Sequence, residues 1–194
     1  MARILGIESS ARADGLTATL AKECLAGARE AGAETELVPL KGLKIERCRM
    51  CNEQGWGQCR EAGRCIIEDD FAGLVGKLRA ADGLVFATPV YFADLSESMK
   101  ALVDRLCRIT RDEQAKRVLS DKPAVAIAAA GGSGNGTAHC MFQLERLLAA
   151  CGAFVLDLIP AAQRNRDYKG QVARLAGAAL ARRAAAAGKQ AVGR

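Results

Sequence analysis

Residues 3–8, RILGIE, form the first short β-type run of the chain. Apolar positions then recur at helical spacing through 16–32, LTATLAKECLAGAREAG, and the pattern stops at Gly32, a C-terminal cap. AETELVPL (33–40) alternates like a second, more exposed strand. Periodicity lapses until DDFAGLVGKLRAAD (69–82), which predicts a helix with two acids at its N-terminus, where the helix dipole favours negative charge. GLVFATPVY (83–91) is nearly all apolar, as a parallel strand covered on both faces must be, and Pro89 ends it. The alternation continues with a helix over 94–109, a strand over 122–130, a helix over 137–152, a strand over 153–160 and an Ala-rich helix over 167–189. The last five residues are expected to fray.

Five strands alternating with about five helices predict one doubly wound α/β sheet with right-handed crossovers. The lapse after the second strand is an irregular, cysteine-rich loop, 45–68. In such sheets ligands bind beyond the carboxyl ends of the strands, at the point where strand order reverses. The loops after strands 1, 3 and 4 are therefore the candidate site.

Composition narrows the class. At 194 residues the chain is expected to be a single domain with a sizeable core. Half of the residues are apolar, yet no apolar run approaches the length of a membrane span. MARILGIESS reads as the first strand of a cytoplasmic protein, not as a signal peptide. A net charge of +6 raises the question of nucleic acid, but aromatics are only 4% and do not interleave with the basic residues. An anionic cofactor accounts for the charge more simply, and no nucleic-acid partner is expected.

The loop after strand 1, ESSARADGLTA (8–18), puts hydroxyls, Arg12 and a helix start together. Backbone N–H groups at a helix N-terminus bind phosphate, and an arginine adds a charged fork. The alternative is an ordinary helix start capped by Asp14 or Thr17. The loop contains neither GxxxxGK[ST] nor GxGxxG. After strand 3, TPVYFADL (88–95) carries Pro89, Tyr91 and Phe92, which can wall a flat ligand. After strand 4, AAAGGSGNGTA (128–138) has four glycines in six residues and lets backbone approach a planar ring. Together the three loops fit an elongated ligand with phosphate at one end and a ring at the other.

CRMCNEQGWGQCREAGRC gathers four of the eight cysteines between Cys48 and Cys65. In a reducing compartment such a group serves a metal, an iron–sulfur cluster or redox chemistry more readily than a disulfide framework. The spacing Cys48-x2-Cys51-x7-Cys59-x5-Cys65 suits either [4Fe–4S] ligation or tetrahedral zinc, and a thiol/disulfide pair remains open. Cys24, Cys107, Cys140 and Cys151 fall on helical segments and read as packing residues. His139 is the only histidine, which excludes a His-rich metal site.

GIESSARADGLTATL resembles the phosphate loop of the NAD(P)H-dependent FMN reductases and iron–sulfur flavoproteins, close to GI-x-GSPR-x-x-G-N-T. ADGLVFATPVYFADLSESMKALVDRL is similar to their second signature, ADG-x-x-x-x-SPVY-x-x-x-x-S-x-x-x-K-x-x-x-DR. The resemblance implies a flavodoxin-like five-stranded parallel sheet of order 2-1-3-4-5. It implies FMN, with Ser10, Arg12, Leu16, Thr17 and Ala18 at the phosphate. Pro89, Val90, Tyr91 and Phe92 would run along the ribityl chain and ring, and Gly131, Gly132 and Gly134 would border the ring's other side. It further implies a [4Fe–4S] cluster on Cys48, Cys51, Cys59 and Cys65, and NAD(P)H or a ferredoxin-type protein as electron donor. Small redox acceptors and a homodimer or homotetramer belong to the same expectation. Ser9, Ala11 and Leu16 depart from the family's usual Gly, Pro and Asn, and seven residues around Trp56 widen the interval between the second and third cysteines.

Overall fold

The computed structural model describes residues 1–110 and 117–192. Five strands, β1 (Arg3–Glu8), β2 (Glu34–Pro39), β3 (Gly83–Pro89), β4 (Pro123–Ala130) and β5 (Phe154–Ala162), form one sheet of order β2-β1-β3-β4-β5. Every neighbouring pair is parallel. The flavodoxin-like expectation is met in strand number, order and direction.

Helices cover both faces: α1 (Leu16–Glu30), α2 (Gln58–Glu61), α3 (Phe71–Ala80), α4 (Glu97–Ile109), α5 (Thr137–Ala150) and α6 (Arg166–Val192). The period-2 side-chain alternation of a strand divides β3 between two cores. Val85 and Ala87 face α1 and α6, packing with Leu20, Cys24 and Leu180. Leu84 and Phe86 face the other way, toward Leu78, Leu102 and Leu144 of α3, α4 and α5. Burial on both faces explains why β3 and β4 read as continuous apolar runs while β2, at the edge, alternates.

The expected element boundaries hold to within a few residues. Helix α1 ends at Glu30, and Gly32, at φ +87°, forms a Schellman closure with Ala33 N–H donating to the Ala28 carbonyl. Helix α6 runs from Arg166 to Val192, and the expectation for the chain end extends to residues 193 and 194, which lie outside the described residues. Among the described residues no helix is long and apolar enough to cross a membrane.

The parallel order puts the carboxyl ends of β1, β3 and β4 on one edge. The chain leaves β1 toward β2 on one side and returns to β3 on the other, so the reversal point falls between β1 and β3.

Candidate functional site

Glycine 15, not Asp14 or Thr17, is the N-cap of α1, and no side chain caps the helix. The helical ladder begins at Thr19 N–H to Gly15 O (2.9 Å), so the N–H groups of Leu16, Thr17 and Ala18 precede it. Thr17 and Ala18 are buried beneath the loop and Leu16 is half-buried. Ser10 organises the turn: its Oγ donates to Arg12 O at 2.8 Å and accepts from Arg12 N at 3.2 Å. The Arg12 guanidinium is exposed and paired with Asp14 at 3.1 Å. An exposed pair of this kind is weak, which leaves the arginine available to an incoming anion.

Sequence reading gave no role to Glu8, yet its buried carboxylate accepts the Ser10 N–H at 2.7 Å. Burial raises its pKa, and the Ser10 hydrogen bond and the charge of Lys22 oppose that rise without cancelling it. Glu8 thus occupies one backbone donor of the candidate anion-binding loop. The donors left are Arg12, Thr17 Oγ1 and the first-turn N–H groups of α1.

Behind this loop lies a buried cluster of three hydroxyls. Ser96 Oγ and Ser9 Oγ are 2.7 Å apart, Ser9 Oγ reaches Thr88 Oγ1 at 3.2 Å, and Ser96 N–H donates to Thr88 Oγ1 at 3.1 Å. Ser96 also caps α4 by accepting from Met99 N. Ser9, which stands where the family usually has Gly, therefore ties the β1 loop to the start of α4 across the reversal point.

Pro89 closes β3, and Val90 N–H donates to Ala129 O at 3.0 Å. Residues 91–94 make a tight turn in which Tyr91 and Asp94 exchange N–H···O bonds of 3.0 Å each. Phe92 (φ +50°) and Ala93 (φ +68°) both take left-handed backbone, the type I′ pattern that ordinarily calls for Asn-Gly. A bulky residue there is strained, and such strain concentrates at ligand sites. Phe92 is 107% exposed and Tyr91 49%, so neither caps the core. The glycine loop packs against this turn. At Gly136 (φ +77°) a Cβ would lie 2.6 Å from Ala93 Cα. Gly131 and Gly132 have open space beside them, whereas Gly134 is hemmed by Ala162 and Arg164, whose Nη1 donates to Ser133 O. The structure thus brings the sequence-identified residues of all three loops to one edge.

The cysteine stretch is a closed loop with a sealed base. Arg105 of α4 and Asp69, with side chains 1% and 0% exposed, form a two-pronged ion pair (Nη1–Oδ2 2.6 Å, Nη2–Oδ1 3.0 Å). Asp69 also accepts Glu46 N–H and Phe71 N–H, at 2.8 and 3.1 Å, and Arg105 Nη1 donates to Glu46 O at 3.0 Å. The guanidinium lies 4.0 Å above the Phe71 ring. Burial alone would raise the Asp69 pKa, but Arg105 and the two backbone donors overcome it and the net shift is downward. The acids expected to complement the α3 dipole are thus structural clamps. Asp70 likewise accepts Lys44 N–H at 2.7 Å.

Inside the clamp, Cys48, Cys51, Cys59 and Cys65 line one small cavity of about 20 Å³ together with Arg105 and Arg108. The seven-residue interval is folded into a turn, with Gly55 N–H donating to Asn52 O at 2.8 Å. Gly57 returns so close that a Cβ there would sit 3.0 Å from Cys51 Cβ, and α2 follows to bury Cys59. Trp56 covers the turn, with the Arg108 guanidinium 4.8 Å from its ring. The wide interval thus folds back on Cys51, and all four cysteines line the one cavity. Among the described residues no group of three or more Cys, His, Asp or Glu is drawn to metal-ligand geometry. The donor set, four thiols around one cavity beside buried cationic charge, fits a cluster or a thiolate-bound metal. Cys24, Cys140 and Cys151 are buried and Cys107 is half-buried, as packing residues, and burial pushes the Cys24 and Cys140 thiols up to about 12. His139 is exposed.

The model of the NADPH-dependent FMN reductase family matches residues 2–167. An iron–sulfur flavoprotein of Methanosarcina thermophila is 34% identical over 134 residues, 69% of this chain and 65% of that protein. One from Methanocaldococcus jannaschii is 33% identical over 130 residues, 67% of this chain and 65% of the relative. The chain thus spans about two-thirds of the length of these relatives. Among solved structures, an NAD(P)H:quinone oxidoreductase from Methanothermobacter marburgensis superposes with a TM-score of 0.71 at 18% identity, covering 92% of this chain and 96% of that one. An archaeal flavodoxin gives 0.63 at 12% identity, covering 94% and 98%, and both likenesses establish the fold. With the phosphate-loop and PVY signatures assembled on one sheet edge and the family match running through nearly the whole fold, the chain belongs to the NADPH-dependent FMN reductase family.

Proposed function

We propose that this protein is an FMN-dependent oxidoreductase carrying a [4Fe–4S] cluster in its cysteine loop, passing electrons from NAD(P)H or a ferredoxin-type donor to a small acceptor. One observation carries the two-cofactor reading. A groove of about 810 Å³ is lined both by Tyr91 and Phe92 of the candidate flavin edge and by Cys48 of the cysteine cavity. The relatives named iron–sulfur flavoproteins support the same reading.

FMN, when bound, supplies the exchange between two-electron and one-electron chemistry. The chain's part is binding and orientation. The N–H groups of Leu16, Thr17 and Ala18 and the Arg12 fork hold the phosphate. Pro89 and Val90 fix the strand end. The space beside Gly131 and Gly132 admits a planar ring, and Tyr91 and Phe92 wall it from solvent. The four cysteines supply thiolate ligands. Lone His139, exposed at the start of α5, takes no part.

Anaerobic purification with flavin, iron, acid-labile sulfide and zinc analysis tests the proposal. It expects about one FMN and four iron and four sulfide per chain, with a broad absorbance near 400 nm that bleaches on reduction. A yellow protein without iron sinks the cluster and leaves the flavin. A colourless protein containing zinc sinks both and leaves a flavodoxin-like binding module with a structural zinc loop.

A further inference from the structure

The guanidinium of Arg105 is deeply buried, and three of its five N–H groups are bonded. Nη1 serves Asp69 and the Glu46 carbonyl, and Nη2 serves Asp69. Nε alone is buried without a hydrogen-bond partner among the described residues. An unmet buried donor is costly, so native structures rarely leave one without a reason. Arg105 lines the same cavity as all four loop cysteines; burial opposes its charge, and Asp69 and then the neighbouring Cys65 side chain hold it charged. The second arginine at the cavity is already committed, because Arg108 donates to Gly55 O and stacks on Trp56.

We propose that Arg105 is a positioning residue of the cysteine cavity: its Nε–H donates to a sulfur of the loaded cluster on the Cys65 side, orienting that ligand and raising the cluster's reduction potential. This rests on the cluster reading above. Hydrogen bonds to cluster sulfurs are a principal lever on the potential, and outer partners fix how ligands present themselves. Only an arginine fits the position. Its planar fork can bind Asp69 with two nitrogens while a third N–H points elsewhere, which the point charge of a lysine cannot do. The same side chain therefore seals the base of the loop and addresses its contents. The rival occupant for the Nε–H is a single water, for which a cavity of about 20 Å³ has room.

Two measurements on the cluster-loaded, full-length protein decide. In the first, wild type is grown on [15N]arginine and the reduced cluster is examined by pulsed EPR. A 15N coupling that persists when Arg47, Arg49, Arg60, Arg64 and Arg108 are each replaced by lysine supports the proposal. Absence of any arginine coupling overturns it and assigns the Nε–H to water. In the second, Arg105→Lys keeps the charge and removes the directed donor. Poised at the wild-type midpoint, its reduced-to-oxidised ratio should fall about tenfold, 59 mV for a one-electron couple, while Arg108→Lys stays near one. A loaded Arg105→Lys protein whose ratio stays within twofold of wild type overturns the proposal. If that variant does not fold or load, the labelled wild type still decides. A wild-type protein that takes up no iron or sulfide overturns the cluster reading itself, and this proposal with it.

Discussion

Replacing Asp69 by alanine should damage this protein more than any other single change at the base of the cysteine loop. The substitution strands the Arg105 charge, whose side chain is 1% exposed, and removes the acceptor of Glu46 N–H and Phe71 N–H. Breaking a buried pair by deleting one partner costs about 3–5 kcal/mol. A domain of this size shifts roughly 2–4 °C per kcal/mol, so the melting temperature should fall by roughly 6–20 °C. Equilibrium urea unfolding of wild type and variant measures the loss directly. The double replacement Asp69→Leu with Arg105→Met should recover much of it, because the cost is the uncompensated charge and not the absence of attraction. The pH dependence has a fixed sign. The folded-state pKa of Asp69 lies below its unfolded value, so this contribution is complete above the ordinary aspartate range, about pH 3.9, and is lost as pH falls through the folded value. Wild type should therefore lose stability in acid more steeply than Asp69→Ala. A stability loss under about 1 kcal/mol, or parallel acid profiles for the two proteins, would refute the clamp.

Three other expectations concern the two candidate sites. Glu8→Gln should tighten FMN binding several-fold in fluorescence titrations, because it removes a buried carboxylate from the Ser10 N–H of the phosphate loop; unchanged or weaker binding counts against that geometry. Gly136→Ala should cost roughly 1–3 kcal/mol and weaken FMN binding, since its φ of +77° and a Cβ 2.6 Å from Ala93 Cα force the 91–94 turn to move, and a neutral result in denaturation would show that the two loops are not in register. Serine at Cys48, Cys51, Cys59 or Cys65 should abolish iron retention with FMN still bound, whereas Cys24→Ser and Cys140→Ser should keep full iron content, as metal analysis of the purified variants will show.

The fold was open to sequence reading because parallel strands leave an unusually plain record. GLVFATP and PAVAIAAA are buried on both faces, and their uninterrupted apolar character reports a central position directly. The two family signatures were also accessible, since each is contiguous in the chain. What escaped was set by long-range pairing. Asp69 and Arg105 are 36 positions apart and each sits in a segment with an adequate local explanation, an acid before a helix and a base on an amphipathic helix. Nothing local says that both side chains are buried. Ser9, Thr88 and Ser96 are individually unremarkable hydroxyls, and only the adjacency of β1 and β3 makes them a cluster. Glu8 was concealed differently, because it occupies the variable position of its motif and acts on a backbone donor two residues away.

The widened cysteine interval shows the same distinction from the other side. By spacing alone, seven residues between Cys51 and Cys59 weaken a cluster motif that is usually compact. In three dimensions the turn ending at Gly55 and the close return at Gly57 fold the interval back on Cys51. The extra residues go instead into a lid. Trp56 rests under the Arg108 guanidinium, and Arg108 comes from the same helix, one turn beyond Arg105. Helix α4 therefore controls the loop at two levels, clamping its base through Arg105 and its tip through Arg108. Arg108→Ala should consequently release the tip without disturbing the base. The expected signature is Trp56 fluorescence shifted to the red and faster alkylation of Cys59, with a urea midpoint close to wild type. A large loss of global stability would instead mean that tip and base are one cooperative unit, and that the insertion is part of the core.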